Sequence, residues 1–240
     1  IIKCEGIPVI ADLDLENAQK VAKEIGGNAD AFQLDVTNEN SIKELLDTLL
    51  KKYSKVHALI NNAAIDPKVD NQGLASSRFE NIDLDNLKKD LDVNLIGAVL
   101  CSKVFGSYFA NNGGGKILNI SSELGIIGPD QRLYKQKNLK DDEQPVKPVS
   151  YSIAKAGLIG LTKYLATYWP EKGVRVNAIC PGGVEFNQPG EFISEISKRI
   201  PLGRMAQADE YQALVAFLCS DASSYMTGAV ISADGGRTVW

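Results

Sequence analysis

Ile117-Leu118-Asn119-Ile120-Ser121-Ser122 is a short apolar, β-branched run that stops at two serines, and its reading sets the plan of the chain. Runs of this kind, bounded by turn residues, read as buried strands. The strand is expected over Lys116–Ile120, and Pro8–Asp12, Ala31–Asp35, Ala58–Asn62, Val174–Ile179 and Ala229–Ser232 share its character. Longer segments of helical period lie between them. Strands alternating with helices make a parallel sheet with crossover helices, so the expected fold class is α/β.

From about Leu87 to Ala110, the residues Leu87, Leu91, Leu95, Ala98, Ser102, Phe105 and Phe109 recur every three or four positions and predict a helix with one buried face. The segment from about Ser150 to Trp169 is apolar or small almost all round, with Ala154, Ala156, Gly157, Gly160, Leu161 and Leu165. Such a helix needs partners on several sides, and its small residues permit close approach, so a subunit interface is expected there, with intramolecular burial the alternative. The polar stretch Asp130–Pro148 is the one long loop and is expected to be an exposed excursion. Ile1–Gly6 reads as the last turn of a helix ending at Gly6, followed directly by a strand. A doubly wound nucleotide-binding half of the Rossmann kind begins with a strand, a glycine-rich turn and a helix whose amides hold a pyrophosphate. No GxGxxG occurs. The chain is therefore expected to be a single Rossmann-like domain over residues 1–240 that lacks roughly its first βα turn.

With 44% hydrophobic and 23% charged residues, the chain can bury a substantial core. A net charge of −4 argues against nucleic acid as a partner, since little counterion release would favour binding. Apolar stretches such as Ala154–Leu161 are too short for the roughly 20 residues of a membrane span, and the first residues lack the order of a secretory signal. No membrane partner is expected. Cys4, Cys101, Cys180 and Cys219 stand singly, without metal-ligand spacing or a disulfide framework. No metal site is expected, and reduced thiols suit a cytoplasmic location.

Tyr151 and Lys155 are four positions apart on a predicted helix, so both side chains rise from one face. An ammonium near a phenol favours the phenolate and turns a poor base into a general acid/base for a hydroxyl proton. Two strands end in polar residues, at Ser121-Ser122 and at Asn61-Asn62-Ala63-Ala64. Ligands of open parallel sheets lie beyond such carboxyl ends.

These residues together resemble the short-chain dehydrogenase/reductase family over nearly the whole chain. Asn61–Ala64 is similar to the family's NNAG, with Ala64 for glycine, and Asp92-Val93-Asn94-Leu95 carries its helix asparagine. Asn119–Ser122 resembles the serine strand, Tyr151–Lys155 the YxxxK, Pro181-Gly182 the loop facing the nicotinamide, and Asp234-Gly235-Gly236 the turn after the last strand. The resemblance implies that Tyr151 exchanges the proton, Lys155 lowers its pKa and holds the nicotinamide ribose, Ser122 bonds the reacting oxygen, and Asn94 holds a relay water. It implies cofactor contacts from Asp35, Val36, Asn62, Ala63, Ala64, Tyr151, Lys155, Pro181, Gly182 and the Val184 backbone. It also implies a homo-oligomer, a dimer or tetramer. Ser121 is expected to point away from the site.

Asp12 ends the first strand, where a carboxylate accepts bonds from the adenosine ribose and repels a 2′-phosphate. NAD is therefore expected over NADP, the alternative being that Asp12 and Asp14 cap the helix from Leu15. Phe186 and Asn187 stand where many relatives have a cofactor-contacting threonine, and Ser122 and Tyr151 are spaced more widely than in most of them. An insertion at about 127–148 thus lies beside the site. Its Arg132 and Tyr134 are candidate substrate contacts, and its polarity suits a sugar or sugar phosphate. Pro129–Tyr134 and Tyr164–Trp169 also resemble a subgroup that serves flagellin modification, in the making of nonulosonic sugars such as legionaminic acid. The expected activity is an NAD(H)-dependent interconversion of a secondary hydroxyl and a ketone on a small molecule. A non-catalytic nucleotide-binding regulator or structural subunit of the same fold is the alternative.

Overall fold

Aspartate and asparagine side chains set where the first helices begin in the computed structural model of the protein, which describes residues 1, 6–66 and 77–240. The Asp14 carboxylate accepts from the Asn17 N–H at 3.1 Å and starts α1 (Leu15–Ile25), whose Ala18 and Ala22 are buried one turn apart. Asn38 does the same for α2 (Glu39–Tyr53), which buries Ile42, Leu45, Leu46 and Leu49. The helical turn expected ahead of Gly6, and Cys4 with it, fall outside the described residues.

The strands are β1 (Val9–Asp12), β2 (Asp30–Gln33), β3 (Ala58–Asn61), β4 (Gly115–Ile120), β5 (Val174–Pro181) and β6 (Val230–Ala233). Each overlaps its expected range, with ends displaced by one or two residues. β1 pairs with β2, and β3-β4-β5-β6 form a second sheet, every pair parallel. Within the described residues no backbone ladder joins the two sheets, but side chains do. Val9, Ala11 and Phe32 pack against the same core as Leu59, Ile117, Val174 and Val176.

Alternation along the strands separates two faces. Leu59, Ile117 and Val176 face α2, α4 (Gly97–Asn111) and α5 (Val149–Tyr168). Ile60, Leu118 and Ile179 face α7 (Gln212–Leu218). Helices thus cover both faces, and the chain is a single-domain α/β Rossmann-like fold. Parallel pairing gathers the ends Asn61, Ile120, Pro181 and Ala233 at one edge.

Two expectations are corrected. The helix predicted over Leu87–Ala110 starts earlier, at Leu84 behind the Asp83 cap, and is two α-helices joined by a wider π turn: α3 (Leu84–Leu91), Asp92–Ile96, then α4. Its 28 residues are long and apolar enough to span a membrane by length and composition, but Cys101, Phe105 and Phe109 are packed in the core. The stretch Asp130–Pro148 is not simply an exposed excursion. The buried Gln144 amide bonds to the backbone of Gln136 and Leu139, and Leu133 packs with Ile196, Ile200 and Met205 beside α6 (Gly190–Ser197). Polar side chains here satisfy a folded loop's own backbone, which a count of polar residues does not reveal.

Candidate active site

The turn after β4 brings the site together. Ser122 Oγ accepts from the Leu124 N–H at 3.1 Å and lies in hydrogen-bonding reach of the half-buried Tyr151 phenol. Ser121 turns the other way and donates to the Lys155 carbonyl at 2.7 Å, tying this turn to α5. That approach is so close that a Cβ on Gly125 would stand 2.8 Å from the Lys155 carbonyl carbon and oxygen. Only glycine fits there.

Lys155 is buried, and its ammonium donates to the Ile120 carbonyl at 2.9 Å. Its nitrogen is 5.6 Å from the Tyr151 ring centroid. Burial pulls the lysine below its ordinary pKa, with Asp66 opposing and Lys147 reinforcing the shift. Burial also raises Tyr151, Ser122 pulls it back, and Asp66 and Glu123 raise it further. Lys155 was expected to lower the Tyr151 pKa. In this structure burial is the largest influence on the Tyr151 phenol, and the Lys155 ammonium donates to a backbone carbonyl.

Asn94 is buried in the π turn, where its side-chain oxygen accepts from Ile65 N–H at 2.6 Å and its amide donates to Ile65 O at 2.8 Å. It therefore clamps the segment after β3, holding the exposed Asn62, Ala63 and Ala64 beside the strand ends. The neighbouring Asn61 is buried instead and bonds Ser102 and Asn119, and Asn119 bonds Thr162. That chain across β3, β4, α4 and α5 was not foreseen, because each asparagine alone looks like a turn residue.

At the end of β1, in the two-stranded sheet, Asp12 Oδ1 accepts from the Asp14 N–H at 2.9 Å, while Asp14 is the residue that caps α1. Asp35 bonds the Thr37 N–H and hydroxyl, and Val36 packs against Gly97 at the start of α4. Gly182 donates to Ala233 O at 2.9 Å and accepts from the Tyr211 hydroxyl. The Val184 carbonyl accepts from the Gln188 side-chain amide at 2.8 Å. Phe186 is exposed and Asn187 has a left-handed φ of 55°.

The structure separates the two candidate substrate residues. Tyr134 stands near Asp66, Arg237, Glu123 and Tyr151, its ring 6.0 Å from that of Phe192, and burial pushes its phenol up to about 12. Arg132 instead forms a two-point pair with Asp130 at 2.8 Å on the surface, because the adjacent carboxylate is a nearer partner than anything in the site. Sequence reasoning missed Glu123, whose Oε1 is 3.0 Å from Arg237 Nε while Oε2 has no hydrogen-bond partner among the described residues. Burial pushes this carboxyl up to about 7 despite Arg237. Asp66 and Lys147 were missed as well, and no local spacing links positions 81 apart.

The residues present suit a nicotinamide nucleotide. The buried Lys155 ammonium has three donors and, among the described residues, one hydrogen-bond acceptor, the Ile120 carbonyl. Further acceptors such as ribose hydroxyls would satisfy it.

Comparison with known proteins identifies the family. The short chain dehydrogenase family matches residues 3–134, and the enoyl-(acyl carrier protein) reductase family matches residues 143–238. The 3-oxoacyl-(acyl-carrier-protein) reductase of Thermotoga maritima is 33% identical, covering 98% of this chain and 89% of its own length. D-threitol dehydrogenase of Mycolicibacterium smegmatis is 31% identical over 95% of this chain and 82% of its own. A solved short-chain type dehydrogenase/reductase from Mycobacterium marinum superposes with a TM-score of 0.80 at 28% identity, covering 96% and 84% of the two chains. The chain belongs to the short-chain dehydrogenase family of oxidoreductases, which act on small molecules with a nicotinamide cofactor.

Proposed function

We propose that this oxidoreductase is a cytoplasmic NAD(H)-dependent enzyme that interconverts a secondary hydroxyl and a ketone on a sugar or sugar phosphate. The observation that carries it is the setting of Tyr151, which lies against Ser122 and below the Lys155 ammonium, among the polar groups of Asp66, Lys147, Glu123 and Tyr134. A nicotinamide ring, when bound, supplies or takes up the hydride. Tyr151 Oη removes the proton of a substrate hydroxyl, or returns one to the carbonyl oxygen. Ser122 Oγ donates to the reacting oxygen and holds it against the phenol. Lys155 holds the ribose and, released from Ile120, stabilises the phenolate. Asn94 keeps Ile65 and the residues before it in place.

The charged surroundings favour a hydroxylated substrate over an acyl chain, and the relative that acts on D-threitol supports a polyol-like compound. Asp12 at the end of β1 supports NAD over NADP. The runs Pro129–Tyr134 and Tyr164–Trp169 support a narrower place in flagellin glycan synthesis, so nonulosonic-acid precursors belong in the substrate screen.

NADH and NADPH fluorescence titrations, followed by a polyol and sugar-phosphate screen, test the proposal. Tyr151→Phe is expected to lower turnover by about 10²–10⁴-fold with NADH affinity near wild type. Full activity in that variant rules out the assigned chemistry. Failure of the wild type to bind either nucleotide favours the non-catalytic reading.

A further inference from the structure

A second lysine is closer to the Tyr151 ring than Lys155 is. Lys147 Nζ stands 4.1 Å from the ring centroid, against 5.6 Å for Lys155. Its side chain is only 11% exposed, and its ammonium is ion-paired with the Asp66 carboxylate. Its backbone is fixed too, the N–H donating to Gln131 Oε1 at 2.8 Å. Lys147 comes from the inserted segment, two residues before α5 begins, and Asp66 comes from the segment after β3 that Asn94 clamps at Ile65.

A cation over an aromatic face is attracted to the ring's negative face, more strongly where water is excluded. Ionising the phenol adds electron density to that ring, so the same cation attracts the phenolate more than the phenol. The other groups facing Tyr151 are Ser122, Glu123 and Asp66, Lys155 and Tyr134. Asp66 and Glu123 oppose ionisation, and Lys155 is turned to the Ile120 carbonyl. Of the two lysines over this ring, Lys147 is the nearer cation.

We propose that Lys147, held in place by Asp66, is a positioning residue for proton transfer, its ammonium orienting the Tyr151 ring and favouring the phenolate. The proposal rests on Tyr151 being the acid/base group. It gives the insertion a task at the reacting end of the site, carried by a residue outside the YxxxK pair.

The test is an NMR titration of the whole chain labelled at the tyrosine ring carbon bearing the hydroxyl, with the Tyr151 signal identified by its loss in Tyr151→Phe. Lys147→Met is expected to move the Tyr151 titration up by about one pH unit, a roughly tenfold loss of phenolate at a given pH. Lys147→Arg should restore it. An unchanged titration in folded Lys147→Met overturns the proposal. Should that variant fail to fold, Lys147→Gln takes its place with the same expected shift. This readout needs neither substrate nor turnover, so it is separable from the proposed reaction: an active Tyr151→Phe enzyme would sink the reaction and leave the titration result standing.

Discussion

At the scale of single residues, Asp12 can both brace a turn and face a ligand. One oxygen bonds the Asp14 N–H. The other has no hydrogen-bond partner among the described residues. Asp12→Asn keeps the turn and removes the charge, so the preference for NADH over NADPH should narrow by roughly tenfold, worth about 1.4 kcal/mol, without loss of melting temperature. An unchanged ratio of the two dissociation constants would assign Asp12 to the turn alone. The tyrosine and Lys155 were legible in the sequence because four positions in a helix fix their relation. Lys147 was not, since its contact with Asp66 depends on how the insertion folds back. Arg132 shows the converse, a charged residue near the site in sequence but turned to its own neighbour.

At the scale of elements, the turn after Ser122 is coupled to the C-terminal segment by Glu123 and Arg237, both nearly inaccessible to solvent. Burial moves the Glu123 carboxyl from an ordinary 4.5 to about 7. The native protein thus retains a proton that the unfolded chain has already released. This group's contribution to stability is full below about pH 4.5 and is lost as pH rises through about 7. Melting temperatures measured between about pH 4.5 and 7 should fall less steeply in Glu123→Gln than in the wild type; parallel curves would mean that Glu123 does not titrate in this window. Gly125→Ala should cost about 1–3 kcal/mol in denaturant unfolding, because the added methyl meets the α5 backbone. The strands were readable to within two residues from their β-branched runs and polar ends. The π turn was not, because one extra residue per turn leaves the spacing of Leu91, Leu95 and Ala98 still helical.

At the scale of the whole molecule, α5 has one side packed in the fold and another turned to solvent. Gly157 admits Leu95 against the helix, while Tyr164 and Tyr168 stack outward with rings 5.6 Å apart and about 60% exposed. Tyr164→Lys with Tyr168→Lys is expected to lower the mass seen by light scattering if this face joins subunits, and an unchanged mass places any interface elsewhere. Parallel pairing has another consequence. Asn61, Ile120 and Pro181 end neighbouring strands, so a ligand at that edge meets three stretches of chain that lie far apart in sequence, and its grip depends on the register of the whole sheet.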